Sequence, residues 1–136
     1  MPPAAAALPL LVALLPALLM SPPPASAWSG YWSYDLCHED RKPAHDNDTF
    51  CRQGKDRIRI DVPAAGFPDI TMCPSDPWGE RDVRITPDGR ALSFRSRDFM
   101  EVRLSLGQDG GHFHGTFRTP DGHSGRVWGR RLVGCG

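Results

Sequence analysis

The sequence has no apolar run long enough to cross a membrane, and its first 27 residues carry no charged side chain. The longest apolar stretch, Leu8 to Met20, is interrupted by prolines, whereas a spanning helix needs roughly 20 continuous apolar residues. Ala25-Ser26-Ala27 then gives the small-x-small pattern that signal peptidases cut. We therefore expect residues 1–27 to be a cleaved signal peptide, with an uncleaved anchor as the alternative and no membrane span after cleavage.

The cysteines lack the spacing of a zinc site, because no two of them are separated by two to four residues. All four lie after the expected cleavage, in a compartment where disulfides persist. We therefore expect one disulfide-stapled domain over residues 28–136, secreted or periplasmic. Among the three ways of pairing Cys37, Cys51, Cys73 and Cys135 we favour Cys37 with Cys51 and Cys73 with Cys135. The first pair closes a short polar loop that otherwise has little to hold it.

Helical periodicity is also missing, and short alternating segments separated by Gly, Asp and Pro take its place. The predicted strands are Ser29–Leu36, Arg57–Val62, Asp69–Cys73, Asp82–Thr86, Ala91–Arg95, Phe99–Leu106, His112–Arg118 and Ser124–Val133. Eight strands joined mostly by tight turns indicate an all-β antiparallel meander, as an up-and-down barrel or, alternatively, a β-sandwich. In such a barrel Cys135 would lie at the opposite end from the other cysteines.

Three turns that each contain an Asp-Gly dipeptide predict how the later strands pair. Asp88-Gly89 and Asp109-Gly110 favour two-residue type I′ loops. The facing pairs are then Ile85 with Leu92, Val83 with Phe94, Arg84 with Ser93, Leu106 with Phe113, Leu104 with Gly115, and Val102 with Phe117. At Asp121-Gly122 a three-residue loop over 120–122 suits the pattern better, since Phe117 then covers Gly125 and Phe113 covers Gly129.

The third hairpin predicts a basic and aromatic outer face. It turns Trp128 outward beside His114, although core packing is the usual role of a tryptophan. The candidate binding residues on this face are Trp128, His112, His114, Arg118, Arg126 and Arg130. Positive charge next to the two histidines disfavours a metal site. On the inward face Gly115 lacks a side chain, and we expect the vacant volume to serve either packing or a ligand.

Signatures of catalysis and of nucleic-acid binding are absent. Gly122-His123-Ser124-Gly125 lacks the second glycine of a nucleophile elbow. The acidic stretch with His38, Glu39, Asp40, His45, Asp46 and Asp48 has no defensible calcium or metal spacing. Residues 28–76 hold 6 basic and 9 acidic side chains and residues 77–136 hold 10 and 7, which is too small a swing for a nucleic-acid footprint. We therefore expect no enzyme, no metal and no cofactor.

Gly30-Tyr31-Trp32 places a G-x-W on the first strand, and Arg130 and Arg131 come late on the last strand. This arrangement resembles the lipocalin/calycin superfamily, in which such a tryptophan sits at the closed end of the barrel near a late arginine. The resemblance implies an up-and-down barrel. The polar segment from Cys37 to Asp56 occupies the place of the large first loop that caps those barrels.

The functional hypothesis is a non-enzymatic exported binding module. Its ligand is either a small apolar molecule held at the barrel mouth or a protein or envelope macromolecule held on the basic and aromatic outer face. The alternative is a structural or envelope-associated accessory domain that has no ligand of its own.

Overall fold

A computed structural model describes residues 23–39, 51–73, 81–96 and 98–135. A 3₁₀ helix covers Ala25–Trp28. The strands are β1 (Gly30–His38), β2 (Cys51–Asp61), β3 (Asp69–Met72), β4 (Arg81–Ile85), β5 (Ala91–Arg95), β6 (Glu101–Leu106), β7 (His112–Arg118) and β8 (Ser124–Leu132). The predicted all-β fold of eight strands is confirmed.

The strands form a nearly closed up-and-down barrel. All eight belong to one sheet in the order β3-β2-β1-β8-β7-β6-β5-β4, and every pairing is antiparallel. The first and last strands of that order, β3 and β4, are joined by a segment that includes residues 74–80, which lie outside the described ranges. The meander therefore closes through the contact of β1 with β8, and the barrel rather than the sandwich is the architecture.

The alternation of side chains directs one face of each strand into a common core. In β6, Val102, Leu104 and Leu106 are buried while the residues between them are exposed. Three aromatic rings pack together at one end of this core, with centroids 5.4 Å apart for Trp32 and Phe113 and 6.1 Å apart for Trp28 and Trp32. Burial of this apolar surface is the main stabilising force of the fold.

The predicted registers are confirmed next to the three turns, in the pairs β4–β5, β6–β7 and β7–β8. Ile85 faces Leu92, Leu106 faces Phe113, and His114 faces Trp128. The expected pairing of Val83 with Phe94 falls in an irregularity between Arg81 and Arg84, where Asp82 and Val83 together stand opposite Phe94. Val83 is nevertheless buried, so the irregularity keeps its side chain in the core.

The turns at Gly89, Gly110 and Gly122 join the strands in these registers, but their backbone geometry is not type I′. Gly89, Gly110 and Gly122 have φ of 71°, 70° and 90°, and each donates its N–H to the carbonyl three residues earlier, at 2.8, 3.0 and 3.1 Å. Among the non-glycine residues described, positive φ occurs at Asp82 and Phe99, so the aspartates before these glycines do not adopt it. An L-residue avoids that region where a glycine can take it instead.

The turn aspartates cap their own loops. Asp88 accepts hydrogen bonds from the Thr86 hydroxyl at 2.5 Å and from the Arg90 N–H at 3.1 Å. These bonds, that of the hydroxyl foremost, lower the pKa of Asp88. The Gly111 N–H, 2.9 Å away, and the His112 ring lower the pKa of Asp109 in the same way. The Asp-Gly signal therefore identifies the turns through side-chain capping rather than through an aspartate with positive φ.

Glycines let strands β7 and β8 approach their neighbours closely. A Cβ at Gly129 would lie 2.3 Å from the Phe113 ring, and one at Gly125 would lie 2.4 Å from the Phe117 ring, as the large-on-small pattern predicts. Of the two expectations at Gly115, the structure supports packing rather than a volume for a ligand. A Cβ at Gly115 would meet the carbonyl oxygen of Arg103 at 1.8 Å, so the space is filled by the backbone of β6.

Both predicted disulfides are present, Cys37–Cys51 and Cys73–Cys135. The first joins residues that face each other across β1 and β2. The second, Cys73–Cys135, forms although Cys135 was expected at the opposite end of the barrel. Strand β3 is short, and the chain turns back after Leu132, so the two cysteines meet. The Arg57 side chain, on β2, donates to the Cys135 carbonyl at 3.4 Å, so the tail crosses β1 and β2 on the outside of the barrel.

Strand β2 differs most from its prediction, since it begins at Cys51 instead of Arg57. Residues 51–55 are all exposed, so they carry no apolar alternation that could have revealed a strand. The expected polar loop from Cys37 to Asp56 is correspondingly shorter, and residues 40–50 lie outside the described ranges.

Candidate binding surface

The outer face of β8 carries a tryptophan, Trp128. Trp128 lies between two core residues, Val127 and the backbone of Gly129, and therefore points away from the core. Its strand partners are His114 on β7 and Asp35 on β1. Because the side chain is half-buried, it forms the floor of a depression instead of standing free in solvent.

This depression, the Trp128 groove, has a volume of about 340 Å³. Strands β7, β8, β1 and β2 all contribute to it. Its lining consists of Ser33, Asp35, Gly54, Asp56, Arg57, His112, Trp128, Gly129, Arg130 and Leu132. Side chains of both charges thus surround one indole ring.

The wall from β1 and β2 is acidic and braced by hydrogen bonds. The Gly54 N–H donates to Asp35 Oδ1 at 2.7 Å, and Gly54 has a φ of 71° that glycine adopts readily. The register of β1 with β2 shifts just there, between Tyr34 and Leu36. Asp56 forms an ion pair with Arg52 at 3.0 Å. Asp35 and Asp56 thus both belong to the lining of the groove.

The opposite wall is basic and comes from β7 and β8. The Arg130 N–H donates to Ser33 Oγ at 2.9 Å, which joins β8 to β1 beneath the groove. His112 lies across from Arg130, and its Nδ1 is 3.0 Å from Asp109 Oδ2. The groove can therefore offer donors from Arg130, and from Arg57 on the β2 side, and acceptors from Asp35 and Asp56.

The six predicted binding residues share the outer face but not one site. His112, Trp128 and Arg130 line the groove, and His114 lies beside Trp128 on an exposed position of β7. Arg118 lines a different depression with Glu101, Arg103 and Ser124. Arg126 forms an ion pair with Glu39. The predicted patch thus divides into an aromatic groove and an arginine-bearing surface.

Sequence reasoning missed the half of the groove that comes from the N-terminal strands. Ser33 and Asp35 alternate with the buried Trp32 and Tyr34, and that alternation was a usable signal for their outward position. Arg57 alternates with the buried Ile58 in the predicted strand and gave the same signal, whereas Asp56 precedes that strand and nothing in the sequence placed it in the groove.

The remaining chemistry-bearing residues form no recognisable centre. Within residues 23–39, 51–73, 81–96 and 98–135, no group of three or more His, Cys, Asp or Glu side chains has the geometry to hold a metal ion. His123 and Ser124 follow a tight turn and begin a strand, so the strand-to-helix bend of a nucleophile elbow is not present at this point. From the acidic stretch, Asp40, His45, Asp46 and Asp48 lie outside the described ranges.

A cationic clamp closes the end of the barrel that contains the β4–β5 and β6–β7 turns. The Arg131 guanidinium lies 4.2 Å from the centroid of the Trp32 ring. It donates to the carbonyls of Ser29 at 2.7 Å, Gly110 at 3.1 Å and Ala27. The Trp28 indole donates to the Gly89 carbonyl at 2.8 Å. The G-x-W tryptophan therefore contacts the late arginine, and this arginine is Arg131 rather than Arg130.

Comparison with solved structures gives a match to a redesigned β-barrel. That protein is 17% identical, with a TM-score of 0.53 over 79% of this chain and 94% of the other. At this level of identity the likeness shows the barrel fold alone. A scan of protein-family models and a search of curated proteins found no match. No helix in the described ranges is both long and apolar enough to cross a membrane.

Proposed function

We propose that this protein is a non-enzymatic, exported binding module that recognises a glycan in the Trp128 groove. The observation that carries the proposal is a half-buried tryptophan on the outer face of the barrel, flanked by an acidic and a basic wall. A large aromatic side chain on the solvent side of a strand contributes little to the core, so contact with a partner is its more economical role.

The lining of the groove favours a sugar over an apolar ligand. Each sugar hydroxyl both donates and accepts hydrogen bonds, and the groove offers acceptors in Asp35 and Asp56 and donors in Arg57 and Arg130. The indole face suits the less polar face of a sugar ring. Sites for apolar molecules are lined mainly by hydrophobic side chains with few polar groups, which does not describe this groove.

The interior of the barrel gives less support to the small apolar ligand. Trp28, Trp32, Phe113 and Phe117 are fully buried and occupy the core, and the position of Gly115 leaves no space beside β6. Interiors of small barrels either fill with side chains or hold one small molecule. The density of aromatic side chains supports the first of these arrangements.

Export and a relationship to lipocalins are parts of the same proposal. Two disulfides are consistent with an oxidising extracellular environment. The contact of Arg131 with Trp32, at the end of a barrel of eight strands, supports a lipocalin-like or calycin-like ancestry. A secreted or periplasmic protein would meet glycans of the cell envelope or of the surrounding medium.

A printed glycan array tests the proposal, with purified wild type and the Trp128→Ala variant as probes. We expect binding to a defined set of glycans and a loss of about tenfold or more in affinity for the variant, since central aromatic contacts dominate such interfaces. Phe67→Ala removes another exposed aromatic side chain, 89% exposed and outside the groove lining, and should leave binding unchanged.

The accessory-domain alternative predicts that the array stays blank for wild type and both variants. A lipid or other apolar compound in an organic extract of the purified protein would instead favour the barrel interior. In either case the assignment of the groove would be wrong.

A further inference from the structure

Arginine is concentrated on the outer face of β5 to β8. These strands hold Arg95, Arg103, Arg118, Arg126 and Arg130 on their outer side, against a single acidic residue, Glu101. Arg95 lies 3.9 Å from Glu101. The formal net charge of the whole chain is zero, so this face is basic because the acidic residues lie elsewhere.

Three arginines align in one row across five strands. The register pairs Arg84 with Ser93, Ser93 with Arg103, Arg103 with Thr116, and Thr116 with Arg126. We call this row of Arg84, Ser93, Arg103, Thr116 and Arg126 the arginine row. Since neighbouring strands lie about 4.8 Å apart, its arginines recur at about 10 Å and the row extends for about 19 Å.

The guanidinium groups of the row are available to a ligand. All three arginines are exposed, and within the described ranges Arg84 and Arg103 form no ion pair. Arg126 pairs with Glu39, and both side chains are more than half exposed. An exposed ion pair of this kind contributes little free energy, so a ligand can replace Glu39 at small cost.

The row continues the Trp128 groove. Arg126 precedes Trp128 by two residues on β8, so the two side chains emerge on the same face about 7 Å apart. A linear ligand whose one residue stacks on Trp128 would therefore reach Arg126 with its next residues. Arginine pairs in a bidentate manner with carboxylate and sulfate-like oxyanions, and Ser93 and Thr116 supply hydroxyl groups between the arginines.

From these observations we infer that the ligand is a linear anionic polysaccharide, bearing carboxylate or sulfate groups, that runs from the Trp128 groove along the arginine row. The inference rests on the proposed glycan-binding function and assigns its substrate class. Duplex DNA would have to be bent to follow the convex wall of a barrel, which costs free energy, whereas a flexible polysaccharide chain can follow it without that cost. Single-stranded nucleic acid would need a series of aromatic stacking platforms, and the arginine row contains none.

The test measures binding of dextran sulfate and polygalacturonate to the purified protein by calorimetry, with uncharged dextran and a short DNA duplex alongside. We expect both polyanionic polysaccharides to bind and uncharged dextran not to bind. The variant Arg84→Gln/Arg103→Gln should weaken polysaccharide binding about tenfold or more. The control Arg59→Gln/Arg90→Gln removes the same charge from exposed positions outside the row and the groove and should stay within about twofold.

Equal losses in the two double variants would overturn the inference, because net charge alone would then explain the binding. Duplex DNA that binds more tightly than either polysaccharide and depends on the row would also overturn it. A further measurement needs no variant: polygalacturonate should perturb the backbone NMR signals of Ser93 and Thr116 in the wild type. Unchanged signals would contradict binding along the arginine row. Recognition of neutral glycans alone, with dependence on Trp128, would leave the proposed function intact and remove only the anionic ligand.

Discussion

At the scale of single residues, Arg130 and Arg131 show how one position along a strand separates two roles. Arg130 is exposed on the outer face and lines the Trp128 groove. Arg131 is directed to the end of the barrel, where it stacks on Trp32 and donates to three backbone carbonyls. Because successive side chains on a strand point to opposite faces, the two adjacent arginines differ in place: Arg130 lines the outer groove and Arg131 braces the end of the barrel.

We expect Arg131→Ala to reduce the free energy of unfolding by about 2 kcal/mol, because hydrogen bonds to a charged donor are worth more than neutral ones. Arg131→Lys should recover only part of this loss, since an ammonium group cannot span several carbonyls in one plane. Arg130→Ala should change stability by less than about 0.5 kcal/mol. Urea unfolding of the three variants measures this, and equal losses at both arginines would contradict the clamp.

At the scale of elements, β1 and β8 join the two halves of the meander. β8 follows β7 through a tight turn, yet it also pairs with β1 near the start of the described chain. β3 lies at the end of the strand order, has four residues, and is held by β2 and by the bond from Cys73 to Cys135. The two disulfides therefore act on different parts of the barrel, one on a central pair of strands and one on an edge.

Removing Cys73–Cys135 by a double serine substitution should destabilise the protein more than removing Cys37–Cys51. The sequence separations are 62 and 14 residues, for which the chain-entropy model gives roughly 4 and 3 kcal/mol. Unfolding in urea compares the totals, and hydrogen exchange locates the effect. The first variant should lose amide protection at Ile70 in β3, whereas the second should not. Equal protection of Ile70 in the two variants would show that β2 alone holds β3.

At the scale of the whole molecule, the N-terminal segment contains the expected cleavage site and also packs against the end of the barrel. The expected cleavage after Ala27 would leave Trp28 at the new N-terminus, and this residue is fully buried against Trp32 and Phe113. Arg131 would lose the Ala27 carbonyl and keep those of Ser29 and Gly110. The barrel can therefore retain most of its clamp after cleavage.

The intact mass of the protein recovered from the periplasm or the culture medium should correspond to a chain that starts at Trp28 with all four cysteines oxidised. Alkylation without reduction detects free thiols, and a parallel reduced sample gives the control mass. A mass that retains Pro23 to Ala27 would show that the 3₁₀ helix belongs to the mature protein. Protein retained in the cytoplasm with alkylated thiols would contradict export.

The sequence by itself determined the strand count and most of the pairing of the later strands, and among three possible disulfide pairings it favoured the one present in the structure. Local signals carry this information, because the Asp-Gly turns set registers that the alternation of Val102, Leu104 and Leu106 independently repeats. The outward position of Trp128 followed from the same periodicity. The start of β2 has no buried face, so its sequence shows no alternation of apolar and polar residues that could predict a strand.

Only the tertiary structure decided which residues meet across the barrel. The contact of β1 with β8 brings Asp35 beside Trp128, although the two are far apart in the chain, and the pairing of β2 with β1 adds Asp56 and Arg57 to the groove. The backbone of β6 likewise fills the space at Gly115. These outcomes depend on closure of the sheet and on the distance between neighbouring strands, which side-chain periodicity along one strand does not encode.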